Sequence, residues 1–139
     1  MFGKNLFKSR RQTPAASVLI VSDDRDTLST LQTMLTDNGF TVYALANVTT
    51  ALALLNEIDL PDVFICDFVE PLTEGVGFIK KLQIHYGKSA LPPAVFLMDS
   101  PDDETAASEL GVYDVLPKPV QEERLLQCLT LLSDRSAAV

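Results

Sequence analysis

The sequence predicts a doubly wound α/β domain built on a five-stranded parallel sheet. Two observations carry that expectation. Short apolar runs rich in β-branched residues recur at Val18–Val21, Val63–Cys66, Ala94–Met98 and Val112–Leu116, as strands buried on both faces require. Between them lie segments with apolar residues at helical spacing, so strand and helix alternate five times. A third feature gives the fold an address for chemistry. Asp23 and Asp67 close the expected first and third strands, and Lys118 follows the fifth. Ligands of open α/β sheets bind beyond the carboxyl ends of such strands. Two carboxylates and an ammonium there suit a divalent cation and an anion.

Taken in order, strand one is expected over Ser17–Asp23. A helix follows over Thr27–Asn38, with Leu28, Leu31 and Leu35 on one face and Gly39 as its stop. Strand two is Phe40–Leu45. Asn47 caps a helix to about Glu57 that turns Leu52 and Leu55 inward. Pro61-Asp62 breaks the chain before strand three, Val63–Asp67. A loop with Pro71 and Gly75 precedes a helix marked by Phe78, Ile79 and Leu82 and stopped near Gly87. Pro92-Pro93 leads into strand four, Ala94–Met98. Ser100-Pro101-Asp102-Asp103 has the hydroxyl, proline and acids of a helix start, and Gly111 ends that helix. Strand five is Val112–Leu116. The closing helix is Gln121–Ser133, carrying Leu125, Leu126, Leu129 and Leu132.

Composition narrows the function. The chain of 139 residues has a formal net charge of −8, which disfavours nucleic acid as a direct partner because phosphate binding needs a basic face. Lys4, Lys8, Arg10 and Arg11 stand in residues 1–17 without an acid, so the remainder carries −12. Residues 1–16 read as a basic, disordered tail, 17–133 as the domain and 134–139 as a C-terminal tail. Phe2, Leu6 and Phe7 among the basic residues leave weak membrane docking through residues 1–12 as a minor alternative. No apolar run approaches the roughly 18 residues of a membrane helix, and the basic N-terminal stretch lacks the apolar run expected of a secretory signal. A cytoplasmic protein is expected. Cys66 and Cys128 fall in a strand and a helix, as buried free thiols do. His85, the single histidine, has no clustered metal-ligating partners. Gly75-Val76-Gly77 is only a fragment of a dinucleotide fingerprint.

At residues 17–133 the chain resembles the receiver domain of bacterial two-component response regulators. The resemblance rests on Val18-Leu-Ile-Val-Ser-Asp-Asp24, Asp62-Val-Phe-Ile-Cys-Asp67, Pro71 and Gly75, and Leu116-Pro-Lys-Pro119. It implies a flavodoxin-like sheet of strand order 2-1-3-4-5. It also implies a signalling module rather than an enzyme, with at most slow autodephosphorylation, and the length of 139 residues makes a stand-alone module the expectation. Asp67 would accept a phosphoryl group from a histidine kinase or phosphotransfer protein. Mg²⁺ would be held by Asp23, Asp67 and the backbone carbonyl of Val69. Lys118 would pair with the acceptor and then with the phosphoryl oxygens, and the Lys118-Pro119 bond would be cis. A downstream protein would read the state.

Elementary chemistry agrees. Phosphoryl transfer to a carboxylate is mainly positioning and charge neutralisation, and Mg²⁺ needs only one or two carboxylates beside its waters.

The chain departs from the family pattern in four places. Ser22 stands where a second acid usually helps hold magnesium, so magnesium binding should be weakened without being abolished. Asp99 stands at a switch position that usually bears a hydroxyl. Two like charges about 4 Å apart repel by roughly 4 kcal/mol at an effective dielectric near 20. Val115 replaces the aromatic switch residue, with Tyr113 two places earlier. The span from Asp99 to Gly111 is shorter than usual by about one helical turn. A phosphorylation-independent interaction module on the same fold therefore stays open as the alternative.

Overall fold

The computed structural model describes residues 16–67, 72–98 and 112–137. The elements are β1 (Ser17–Ser22), α1 (Arg25–Asp37), β2 (Thr41–Leu45), α2 (Val48–Leu55), β3 (Val63–Asp67), α3 (Leu72–Tyr86), a 3₁₀ turn (Lys88–Ala90), β4 (Ala94–Met98), β5 (Asp114–Pro117) and α4 (Glu122–Ala137). The five strands form one parallel sheet of order β2-β1-β3-β4-β5, as expected. The expected helix from Ser100 to Gly111, the basic tail before Ala16, Val69 and Asp99 lie outside the described residues.

Side chains alternate across a strand, and that period divides the core in two. Leu19, Val21, Phe64, Cys66, Phe96 and Met98 face α2 and α3, where Ala51, Leu55, Phe78, Ile79 and Leu82 meet them. Val18, Ile20, Val63, Ile65, Val95, Leu97 and Leu116 face Leu31 and Leu35 of α1 and Leu125, Cys128, Leu129 and Leu132 of α4. Phe64 and Phe78 meet edge to face with centroids 6.0 Å apart, a favoured aromatic geometry.

The boundaries differ from the sequence expectation where caps and turns compete with apolar periodicity. Helix α1 starts at Arg25 because Asp24 is its N-cap, accepting from the Asp26 N–H. The first apolar residue of the helix, Leu28, is not its first residue. Phe40 lies in the turn that closes α1 rather than in β2: Gly39 takes φ +92° and the Phe40 N–H donates to the Leu35 carbonyl at 3.0 Å. Strand β1 stops at Ser22, so Asp23 is the first residue beyond it. Strand β5 begins at Asp114 rather than Val112, although the Tyr113 N–H already reaches the Ala94 carbonyl at 2.8 Å. Helix α4 runs to Ala137, past the expected end at Ser133, because no Gly or Pro interrupts it.

Helix α3 is the larger difference. It begins at Leu72, so Gly75 is helical rather than in a loop, and Gly77 is helical too. Glycine in a helix interior costs about 0.5–1 kcal/mol against alanine. A Cβ added at Gly77 would meet nothing within 4 Å. Gly77→Ala is therefore expected to raise unfolding stability by about that amount, read as a higher urea midpoint at unchanged slope. A lower midpoint would show that the helix is held differently there.

Both cysteines are free and buried. They belong to the two cores on opposite faces of the sheet, so they cannot pair. Burial pushes the Cys66 thiol far above its ordinary value, with the Asp67 charge adding to it. Burial likewise pushes Cys128 up to about 11, with Asp114 contributing. The thiolate is the reactive form. Neither cysteine should react with a disulfide reagent at pH 8 in the native protein, and both should react once denaturant is added. Fast native labelling would contradict this packing.

Candidate functional site at the carboxyl ends of β1, β3 and β5

Strand β3 is the central strand, paired with β1 through Ser22↔Asp67 and with β4 through Asp67↔Leu97. Its last residue, Asp67, is fully buried. By alternation Asp67 shares the face of Val63 and Ile65, and Ser22 that of Val18 and Ile20. Both therefore turn toward the α1 and α4 layer at one edge of the sheet. A buried carboxylate needs a cation and hydrogen bonds. Here it has both.

Lys118 supplies the cation. Its Nζ lies 2.9 Å from Asp67 Oδ1, with the two side chains 13% and 1% exposed. The lysine is placed by the sheet: its N–H donates to the Met98 carbonyl at 2.9 Å, one residue beyond the Met98↔Pro117 register pair. The Lys118-Pro119 peptide is cis, as the resemblance implied.

Ser22 supplies the hydrogen bond. Its hydroxyl donates to Asp67 Oδ2 at 2.8 Å, and Ser22 is 1% exposed. The Ser22 oxygen also accepts from the Asp24 N–H at 3.1 Å. The Asp24 carbonyl lies 3.3 Å away, but one hydroxyl proton serves one acceptor well, and the closer, charged Asp67 oxygen is the stronger. A relay thus runs from the Asp24 N–H through the Ser22 hydroxyl to Asp67. Asp24 caps α1, accepting from the Thr27 hydroxyl at 2.9 Å. That hydroxyl chiefly holds its carboxyl below the usual range, against partial desolvation, and the Lys118 charge acts in the same direction.

The structure therefore brings together Asp67 and Lys118, two of the residues singled out from sequence. Asp23 stands one residue past β1 and is exposed. Val115, expected from sequence at a switch position, pairs with Phe96 and packs half-buried on the core beside α2 and α3. Ser22 was legible only as a missing acid. Its bond to Asp67 depends on the β1–β3 register, which sequence spacing does not state. Among the described residues no cluster of three or more His, Cys, Asp or Glu is placed to hold a metal ion. The groups at this edge that could ligate a cation offer oxygen: the Asp67 carboxylate and the Ser22 hydroxyl, with Asp23 next along the chain. Such a set fits a hard cation such as Mg²⁺ that keeps waters, and does not fit a soft metal.

A parallel sheet of this order, with a buried Asp–Lys pair at its carboxyl edge, defines a class of protein. The chain belongs to the response regulator receiver domain family, whose pattern matches residues 18–130. It is a receiver domain of the kind used in two-component signalling. Among curated relatives it is 31% identical to the transcriptional regulatory protein CpxR of Klebsiella pneumoniae over 121 residues, which are 86% of this chain and 50% of CpxR. The chain thus spans half the length of that relative. It is 32% identical over 111 residues to an uncharacterized 14.6 kDa protein of Leptolyngbya boryana, covering 79% of this chain and 84% of that one. Among solved structures, a putative response regulator from Chloroflexus aurantiacus superposes with TM-score 0.75 at 28% identity, covering 85% of this chain and 97% of the other. The chemotaxis response regulator CheY4 of Vibrio cholerae gives 0.73 at 28% identity, covering 85% and 98%.

Proposed function

We propose that this chain accepts a phosphoryl group on Asp67 and transmits that state through contacts with other proteins. The observation that carries the proposal is the fully buried Asp67 carboxylate with the Lys118 ammonium 2.9 Å from Oδ1. A buried ion pair is weak evidence for stability, because desolvation offsets its attraction. Placed at the ligand-binding edge of an α/β sheet, it is better explained by chemistry.

In the proposed step a carboxylate oxygen of Asp67 attacks the phosphorus of a phosphohistidine or acyl phosphate. An O–P bond forms, and the donor's P–N or P–O bond breaks with its electron pair leaving on the donor. Lys118 stays protonated and offsets charge on the carboxylate before transfer and on the phosphoryl oxygens after it. Asp67 and Asp23, with the carbonyl of Val69, would hold Mg²⁺, which when bound supplies further neutralisation of phosphoryl charge. The natural donors would be a histidine kinase or a phosphotransfer protein, and the receiving partner a downstream protein.

A second reading, a constitutive interaction module on the same fold, is favoured by one observation: the residue packed half-buried against the core at this place is Val115, and a valine has no ring to swing between pocket and solvent. One experiment separates the two. Adding beryllofluoride with Mg²⁺ should shift amide resonances around the carboxyl edge of the sheet, and Asp67→Asn should abolish the response. Silence at saturating beryllofluoride would favour the constitutive module.

A further inference from the structure

We infer that Ser22 is a positioning residue that holds the acceptor carboxylate in place without a divalent cation. The inference deepens the proposed function and rests on Asp67 being the acceptor. The observations are local. Ser22 and Asp67 are register partners at the ends of adjacent strands, and they are the two buried polar residues among those described. The Ser22 hydroxyl donates to Oδ2 at 2.8 Å while Lys118 holds Oδ1 at 2.9 Å.

Each oxygen of the carboxylate therefore has its own donor, one neutral and one cationic. The Asp67–Lys118 pair sums to zero charge. A carboxylate in place of the hydroxyl would add a second buried anion beside Asp67, and two like charges at such range require a cation between or beside them. The neutral hydroxyl removes that requirement. The Asp24 N–H donating to Ser22 at 3.1 Å polarises the hydroxyl toward Asp67. It also ties the acceptor to the first turn of α1.

Thermal unfolding of the full chain in chelator and in millimolar Mg²⁺ tests this apart from any phosphoryl transfer. The wild type and Ser22→Thr, which keeps a hydroxyl, should have nearly the same midpoint in both buffers. Ser22→Asp should be several degrees less stable in chelator and regain the loss in Mg²⁺, with half-saturation at roughly tenfold lower Mg²⁺ than any wild-type response. Ser22→Asp combined with Asp67→Asn should lose the Mg²⁺ effect. A wild-type Mg²⁺ shift as large as that of Ser22→Asp would overturn the inference, as would a Ser22→Asp protein equally stable in chelator.

Where Ser22→Asp fails to fold in either buffer, the Asp67 side-chain carboxyl ¹³C resonance in chelator decides. It should move in Ser22→Ala and stay in Ser22→Thr. An unmoved resonance in Ser22→Ala would refute the positioning role. These results do not depend on beryllofluoride or acyl phosphate. A silent acceptor assay with the predicted Mg²⁺ pattern would therefore reject the acceptor proposal alone, and the reverse pattern would reject the role of Ser22 alone.

Discussion

Lys118→Ala should lower unfolding stability by about 3–5 kcal/mol, the usual cost of leaving a buried charge without its partner. The size follows from burial. Asp67 is fully buried and its cationic partner is only 13% exposed, so water cannot readily replace the ammonium. The remaining Ser22 hydroxyl supplies one neutral hydrogen bond to Oδ2, which does not neutralise a charge. The comparison with a double variant isolates the cause. Asp67→Asn alone should cost far less, because the Lys118 ammonium can move toward water at the sheet edge. Lys118→Ala combined with Asp67→Asn should recover most of the loss, because no buried anion remains. Urea unfolding of the four proteins gives the coupling directly. A cost under about 1 kcal/mol for Lys118→Ala would mean that the pair behaves as an exposed one.

Asp67→Asn should abolish phosphoryl acceptance entirely while leaving the fold intact. The amide matches the carboxylate in shape but offers no anionic oxygen to attack phosphorus. Its carbonyl can still accept from Ser22, and its register partners Ser22 and Leu97 in the sheet are unchanged. The loss of function should come without the stability loss of Lys118→Ala. That contrast separates a chemical role from a structural one. Lys118→Ala should also fail to accept, since the developing phosphoryl charge would lack its ammonium. Lys118→Arg keeps the charge but replaces a compact ammonium by a planar fork, and should accept only weakly.

Much of this was readable from the residues. The alternation of strand and helix and the two-faced core follow from apolar runs punctuated by Gly39, Pro61, Gly87 and Pro92-Pro93, whereas the strand order β2-β1-β3-β4-β5 was implied by the family resemblance alone. The meeting of Asp67 with Lys118 follows from their places at strand ends. What sequence could not supply was register and competition. Ser22 reaches Asp67 because β1 and β3 end level with each other, a fact of pairing rather than of spacing. Asp23 looked like the last residue of a strand, but the chain leaves the sheet at Ser22 so that Asp24 can cap α1. Helix α3 runs through two glycines that local propensity counts against it. Its buried Phe78, Ile79 and Leu82 supply the packing that overrides that preference.

The most direct measurement is the intact mass of the protein after incubation with Mg²⁺ and a small acyl phosphate. The wild type should gain the mass of one phosphoryl group, labile to mild base as an acyl phosphate is, and Asp67→Asn should gain none. Equal labelling of the two proteins, or an unlabelled wild type at saturating donor, would contradict Asp67 as the acceptor.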